Sequence, residues 1–444
     1  MIIEKSADRL LGTEMHHAVL SSGMNAYFLP LSPEVKVSMF HLFTKFGSID
    51  AKFRVPETGQ EVEVEDGTAH FLEHCAFYDP EGNDAMQWFD KRGLSSNAWT
   101  SFDHTTYHFH SIGGNVRRNL EFLINFVTTP YFTDAVVAKE QGVIAQEVSM
   151  YKDEPDSVLE ENLRLALLQK HPSRRSIAGD RDTILKITKE YLMSAYNTFY
   201  HPSNLNLVML IHSQNPEKDA GKYFRLAEFI CENKGFEKKQ APNYIYTDEP
   251  AEPAQKRIVC AHKVAEPNVL IGFKGNLSMA GSIEERQKID LANDLLAKVI
   301  FSDSSEAVYE LVQKGVVRKS SFGGNHYSGR GFGIFAAGGS TESPDLFVES
   351  FLEMIKKQAN GGISKELFET IKKGSINSGA GMLELEPRRG TYPYESFAVH
   401  SLASGYNPMG MMAALQEITY EDVMDAAKKY LDTENYAVSI VMPK

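Results

Sequence analysis

His70, Glu73 and His74 fall within five residues of one another in the stretch HFLEH. On a helix, His70 and His74 stand one turn apart on a single face, spaced for two imidazoles to bind one metal ion. Glu73 projects from nearly the same face without having to be a ligand, and a carboxylate there is placed to take a proton from water at the metal. Two histidines four apart on a helix are more often plain surface residues. The intervening glutamate weakens that reading, because histidine is scarce, 14 in 444 residues. A catalytic zinc site needs a third protein ligand and an open position. Downstream, EQGVIAQEVSMYKDE offers Glu140 and Glu147, seven residues apart and so on one helix face. Spacing leaves either glutamate open as the third ligand.

The elements that must position these side chains follow from periodicity. Thr68 is read as an N-cap, with helix from Ala69 onward. Strands are expected at Ala26–Leu29, Val35–Lys45, Tyr107–Ser111 and Leu205–Ile211, and helices at Thr68–Phe77, Asp84–Arg92, Asn115–Thr128, Asp134–Lys152 and Ser157–Gln169. An internal repeat sets the larger plan. ITKEYLMSAYNTFYHPSNLNLVML from Ile187 and ITYEDVMDAAKKYLDTENYAVSIV from Ile418 share Ile, Thr, Glu, Met, Ala and Asn at one offset, 418 − 187 = 231. In both, a helical pattern runs through a polar turn into a strand, the signature of duplicated domains.

The expected fold is therefore α+β, two duplicated domains each with a mixed β-sheet flanked by helices. The divisions are 1–232 for a metal-bearing domain, 233–256 for an exposed linker, and 257–444 for a metal-free copy. The linker is read from the charged, Pro-containing stretch between Cys231 and Lys256. The second domain opens with a strand at Asn268–Lys274 and closes with one at Ala437–Met442. At the repeat offset, positions 70 and 74 fall on Phe301 and Ser305, and no second H-x-x-E-H occurs.

Composition narrows the class of function. A formal charge of −13 argues against a nucleic-acid binder, which needs a basic face. The longest apolar stretch, Leu205–Ile211, is far too short to cross a bilayer, so no membrane span is expected. MIIEKSADRLLG lacks an apolar run followed by small residues, and the expectation is that the chain is not exported. Cys75, Cys231 and Cys260 are scattered and odd in number, as in a cytoplasmic protein with reduced thiols. Cys75, beside His74, is read as a small thiol packed under the helix.

H-x-x-E-H is the inverted-zincin signature. With EQGVIAQEVSM it makes the chain resemble the pitrilysin/insulinase family of zinc metallopeptidases. The closer resemblance is to its small, half-length branch, with mitochondrial processing peptidase and bacterial processing-peptidase-like proteins. The resemblance implies that Glu147 is the third zinc ligand and Glu140 a supporting acid that orients a ligand histidine without binding metal. SSNAWTSFDHTTYHFH from Ser95 resembles the family's edge strand by the zinc, to which a peptide adds as an extra strand; Asn97, Ala98 and Trp99 would make that contact. HPSRRSIAG from His171 and FYHPSNLNLVM from Phe199 extend the match.

The family's activity would then be zinc-dependent hydrolysis of peptides or unfolded segments in an enclosed chamber, each half-length chain forming one half of a clamshell. Glu73 would be the general base. One departure matters. The family's metal-free half carries an arginine and a tyrosine that reach the substrate, whereas ELVQKGVVRKSSFGG from Glu310 places Val312 and Arg318 at those positions. The reading that follows is a catalytic subunit in a heterodimer with a homologous chain that supplies the pair. The alternatives are a self-sufficient homodimer, in which Arg330, Arg388, Arg389, Tyr392 or Tyr394 substitutes, or a catalytically silent structural relative.

Overall fold

A computed structural model describes residues 1–9, 12–79, 84–246, 248–389 and 392–444, with side chains at all of these except 383–389 and 392–393. Through residue 245 the strands are β1 (Glu4–Ala7), β2 (Glu14–Val19), β3 (Asn25–Leu31), β4 (Val37–Thr44), β5 (Lys52–Arg54), β6 (Glu61–Glu63), β7 (Ser95–Thr100), β8 (Thr105–Ile112), β9 (Leu205–His212) and β10 (Asn243–Tyr244). The helices are α1 (Thr68–Ala76), α2 (Ala85–Asp90), α3 (Val116–Val127), α4 (Asp134–Asp153), α5 (Pro155–Leu167), α6 (Arg181–Ile184), α7 (Lys189–Phe199) and α8 (Pro216–Asn233). Beyond it come β11 (Arg257–His262), β12 (Asn268–Lys274), α9 (Ile283–Phe301), α10 (Glu306–Gln313), β13 (Gly323–Gly329), β14 (Phe332–Ser340), α11 (Pro344–Lys357), α12 (Lys365–Arg389), α13 (Tyr392–Ala403), α14 (Met411–Glu417), α15 (Tyr420–Tyr430) and β15 (Tyr436–Pro443).

These elements form two compact units that interleave along the chain. The first comprises Met1–Val148, Ser176–Ile245 and Gly379–Met411; the second comprises Ser149–Arg175, Tyr246–Ser378 and Met412–Lys444. The first unit is built on a seven-stranded sheet in the order β1-β2-β3-β9-β4-β8-β7. Its central strand β9, LNLVMLIH, is buried at every residue but the last, as a strand covered on both faces must be. Strand β8 alternates instead: Tyr107 and Phe109 enter an aromatic layer with Phe77, Phe89 and Phe126, while His108 and His110 face the other way. Helix α3 closes that layer with Leu120, Leu123, Ile124 and Val127, an i, i+3, i+4, i+7 stripe with no exposure.

The second unit carries a five-stranded sheet, β11-β15-β12-β14-β13. It repeats the order and the sense of β3-β9-β4-β8-β7. In each sheet the strand after the repeated helix lies parallel to its first neighbour and antiparallel to its second, with two further antiparallel pairs beyond. Helix α15 starts 231 residues after α7, and β15 starts 231 residues after β9 (420 − 189 and 436 − 205), so the sequence offset is carried by equivalent elements. Two domains of one design, each a mixed sheet flanked by helices, make up the chain.

Residues 233–256 are not uniformly exposed, as their composition suggested. Asn243–Tyr244 pairs with β5, and the Glu249 side chain is buried. The Glu249 carboxylate accepts from the Lys274 ammonium at 2.6 Å and from the backbone N–H groups of Gln169, Lys170 and His171. Charge content announced solvent; a buried partner lysine, distant in sequence, overrides it. Among the described residues no helix is long and apolar enough to cross a membrane. All three cysteines are free, and Cys75 is fully buried on the inner face of α1, in keeping with a packing role.

Candidate metal centre

Helix α1 begins one residue away from the expected cap. Gly67, not Thr68, is the cap, at φ 89°, and Thr68 is the first helical residue, its hydroxyl donating to the Glu65 carbonyl. The reason is non-local: a Cβ on Gly67 would lie 2.7 Å from the Ala178 carbonyl oxygen, so the chain needs both the left-handed conformation and the missing side chain. Gly67→Ala is expected to destabilise the fold by about 1–3 kcal/mol, seen as a lower melting temperature. A melting temperature equal to wild type would show that the approach is not constrained.

From this start α1 places His70 and His74 with ring centroids 4.7 Å apart. Helix α4 brings Glu147 across from them. Its Oε1 lies 3.6 Å from His70 Nε2, and its Oε2 lies 3.4 Å from His74 Nε2. One donor atom from each of the three residues lies within 4.8 Å of the others. A tetrahedral ion with bonds of about 2.0–2.1 Å holds its ligand atoms about 3.3 Å apart, so this set needs little movement to close on zinc. Two imidazoles and a carboxylate, leaving a fourth position open, are the donors of a catalytic rather than a structural zinc site.

Glu140 is engaged elsewhere. Its Oε2 is 3.0 Å from His74 Nδ1, and its Oε1 accepts from the Tyr78 hydroxyl at 2.6 Å; Lys139 donates to the same hydroxyl at 2.8 Å. With Nδ1–H donating to Glu140, Nε2 is the His74 nitrogen that faces Glu147, and its lone pair is the one offered to a metal once that nitrogen gives up its proton. Glu73 points to the sheet. Its Oε2 accepts from the Thr100 hydroxyl at 2.6 Å, at the end of β7.

The protonation preferences follow from these surroundings. Burial pushes the His70 imidazole down to about 4, so its lone pair is available at neutral pH. Burial also opposes charge on His74, but its hydrogen bonds to Glu140 and Glu147 outweigh that and raise it to about 9. Desolvation lifts the Glu73 carboxyl to about 7, against the pull of the Thr100 hydroxyl. Glu140 is held below the usual carboxylate range because the His74 and Tyr78 hydrogen bonds overcome its burial.

Asn97, Ala98 and Trp99 lie on β7, which is the outer edge of the seven-stranded sheet. Asn97 is exposed. The Trp99 ring turns to the face opposite Thr100, packing 5.2 Å from His108 and 5.8 Å from His41. Sequence reasoning missed Thr100, Tyr78 and Lys139. Strand alternation from Ala98 could have found Thr100, whereas Tyr78 and Lys139 matter only through a tertiary contact.

Of the residues considered for the arginine–tyrosine pair, Val312 is on α10, and Arg318 is tied to Glu266 at 2.7 Å and to Glu342 at 3.7 Å. Tyr394 is buried at 2 % exposure, and the Arg330 carbonyl meets His171 Nε2 at 3.0 Å. The side chains of Arg388, Arg389 and Tyr392 lie outside the described residues.

Comparison with known proteins agrees with this picture. Residues 57–181 match the family described as "Insulinase (Peptidase family M16)", and residues 186–375 match "Peptidase M16 inactive domain". A Bacillus subtilis protein named uncharacterized zinc protease YmfH is 34% identical over 97% of each chain. The crystal structure of an M16-like peptidase from Alicyclobacillus acidocaldarius, 30% identical, superposes with a TM-score of 0.86 over 98% of this chain and 99% of that one. The periplasmic protease PqqL of Escherichia coli shares the fold at 17% identity, TM-score 0.75, with this chain spanning 48% of its length. A full-length relation at this identity, together with both domain matches, shows the family: the chain belongs to the insulinase peptidases, family M16.

Proposed function

We propose that this chain is a zinc-dependent endopeptidase that hydrolyses peptides or unfolded segments, with zinc held by His70, His74 and Glu147. The observation that carries the reading is the convergence of those three donors beside Glu73, a carboxyl lifted to about 7 and fixed by Thr100. When bound, zinc supplies Lewis-acid polarisation of a carbonyl and makes water a better acid. Glu73 is the general base. Thr100 occupies Oε2, which leaves Oε1 to take the proton from the attacking water and return it to the departing amine. A base whose pKa lies near neutrality can do both. The edge strand β7 suits an extended peptide, whose main chain would pair along Asn97, Ala98 and Trp99.

Glu140 acts through His74, holding the tautomer that points Nε2 at the metal. Glu140→Gln is expected to weaken zinc binding by about 10–100-fold, with cleavage recovering at excess zinc; unchanged affinity would remove Glu140 from this role. The raised pKa of His74 has a second consequence. Below about 9 the metal-free imidazole holds a proton that zinc must displace, whereas His70, at about 4, costs nothing above pH 5. Apparent zinc affinity is therefore expected to fall by up to about tenfold for each unit of acidification between pH 8 and 6. A competition titration with a chromophoric chelator reads it, and a flat profile would contradict the His74 assignment.

Val312 is apolar and Arg318 is spent on Glu266 and Glu342, which supports a catalytic subunit that works beside a homologous chain carrying the arginine–tyrosine pair. Free cysteines support a cytoplasmic setting. We read the repeat as a division at 1–232 and 257–444 with 233–256 between. Cleavage of a quenched peptide library by the purified, zinc-loaded chain tests the reading. Cleavage by this chain alone indicates a self-sufficient homodimer. Cleavage only after adding a homologous subunit supports the heterodimer, and none under either condition leaves the catalytically silent relative.

A further inference from the structure

On the face of the first sheet opposite α1, three histidines and a glutamate meet. His41 on β4 and His108 on β8 are cross-strand partners with rings stacked 5.0 Å apart, and His110 follows two residues along β8 on the same face. Glu395 arrives from α13, 354 residues away from His41. Its Oε2 sits 2.8 Å from His41 Nε2 and 2.9 Å from His110 Nε2. One donor atom from each of the four residues lies within 4.8 Å of the others. The His41 and Glu395 side chains have no exposure. Glu395 Oε1, His41 Nδ1 and His108 Nδ1 are buried with no hydrogen-bond partner among the described residues.

A buried carboxylate that leaves one oxygen unpaired, against a histidine with an unpaired ring nitrogen, is a costly way to build a core. Packing needs no such set. We propose that His41, His108, His110 and Glu395 form a second metal site, closed by four protein ligands and suited to zinc. Three imidazoles and a carboxylate match a borderline cation, and four protein ligands leave no open position for substrate, so the site is structural rather than catalytic. Electrostatics agree with the geometry. Burial keeps His41 and His108 neutral, the latter down to about 3, while the hydrogen bonds from His110 and His41 overcome burial to hold Glu395 at about 2. Binding requires His41 and His110 to carry their ring proton on Nδ1 rather than Nε2, and replaces the two hydrogen bonds to Oε2 with metal bonds.

The site would pin α13 to β4 and β8 directly behind β7. His108 stands opposite Asn97, and Trp99 packs on both His41 and His108, so the cation would stiffen the edge strand without touching a substrate.

The test is zinc content by mass spectrometry after loading and exhaustive dialysis. Wild type is expected to hold two equivalents, His70→Ala/His74→Ala one, and that protein with Glu395→Gln or His108→Ala added none. One equivalent in wild type and none in His70→Ala/His74→Ala would overturn the second site. Residual zinc that survives Glu395→Gln and His108→Ala would overturn the ligand set. One equivalent both in wild type and in His70→Ala/His74→Ala would instead sink the first site and leave this one standing. Should the combined variants fail to fold, zinc X-ray absorption on His70→Ala/His74→Ala decides: three imidazoles and one oxygen are expected, and sulfur or fewer than three imidazoles would contradict the assignment.

Discussion

Replacing Glu73 by glutamine is expected to lower peptide cleavage by about a thousandfold or more, near 4 kcal/mol of barrier, while zinc content stays at the wild-type level. The two parts of the result rest on different contacts. Glu73 is outside the donor set of His70, His74 and Glu147, so the amide removes no ligand. Glutamine keeps a carbonyl oxygen to accept from Thr100, so the side chain holds its place. What disappears is the ability to accept a proton, which no neighbour replaces: Thr100 is a hydroxyl and Glu147 faces the two imidazoles. A Glu73→Gln enzyme that cleaves at the wild-type rate would remove Glu73 from the chemistry. One that loses zinc would instead move it into the metal's coordination.

His74→Ala should produce the other large effect, with the opposite signature. Zinc affinity is expected to fall by at least about a thousandfold, and cleavage should not return at zinc concentrations that saturate wild type. The substitution removes a ligand and also strips Glu140, 3 % exposed, of its hydrogen bond to His74, leaving the Tyr78 hydroxyl as its hydrogen-bond donor among the described residues. A buried carboxylate left half-satisfied costs about 1–3 kcal/mol, so the metal-free variant should also melt below metal-free wild type. Unchanged zinc affinity would overturn the ligand assignment. Unchanged metal-free stability would say that the Glu140–His74 pair contributes little without the ion.

What could be read from the sequence was what is local. HFLEH needs only the pitch of one helix to place two imidazoles on a face, and α1 delivers that. Strand β12 begins and ends at the residues expected, because VLIGF is an uninterrupted apolar run bounded by Asn268 and Lys274. The repeat was legible because offset survives divergence where chemistry does not. Features that depend on distant partners were not legible. Gly67 displaces Thr68 as the cap because Ala178 closes over it. Glu140 and Glu147 look alike in sequence, and only Tyr78 and the positions of His70 and His74 give them different surroundings. Glu249 reads as linker charge until Lys274 and three backbone N–H groups enclose it. The interleaving of the two compact units, with Gly379–Met411 returning to the first, has no composition or periodicity to announce it. The histidines of YHFH on β8 alternate visibly, yet their partner Glu395 lies in the last eighth of the chain.

The measurement that tests the central claim most directly is mass-spectrometric sequencing of the products formed from a defined peptide mixture by the zinc-loaded chain, beside Glu73→Gln at equal zinc content and with a homologous partner subunit present in parallel reactions. The account predicts new termini from cuts at internal bonds, lost on chelation, restored by zinc and absent from the Glu73→Gln reactions. Intact peptides under every condition, or the same internal cuts from Glu73→Gln, would contradict it.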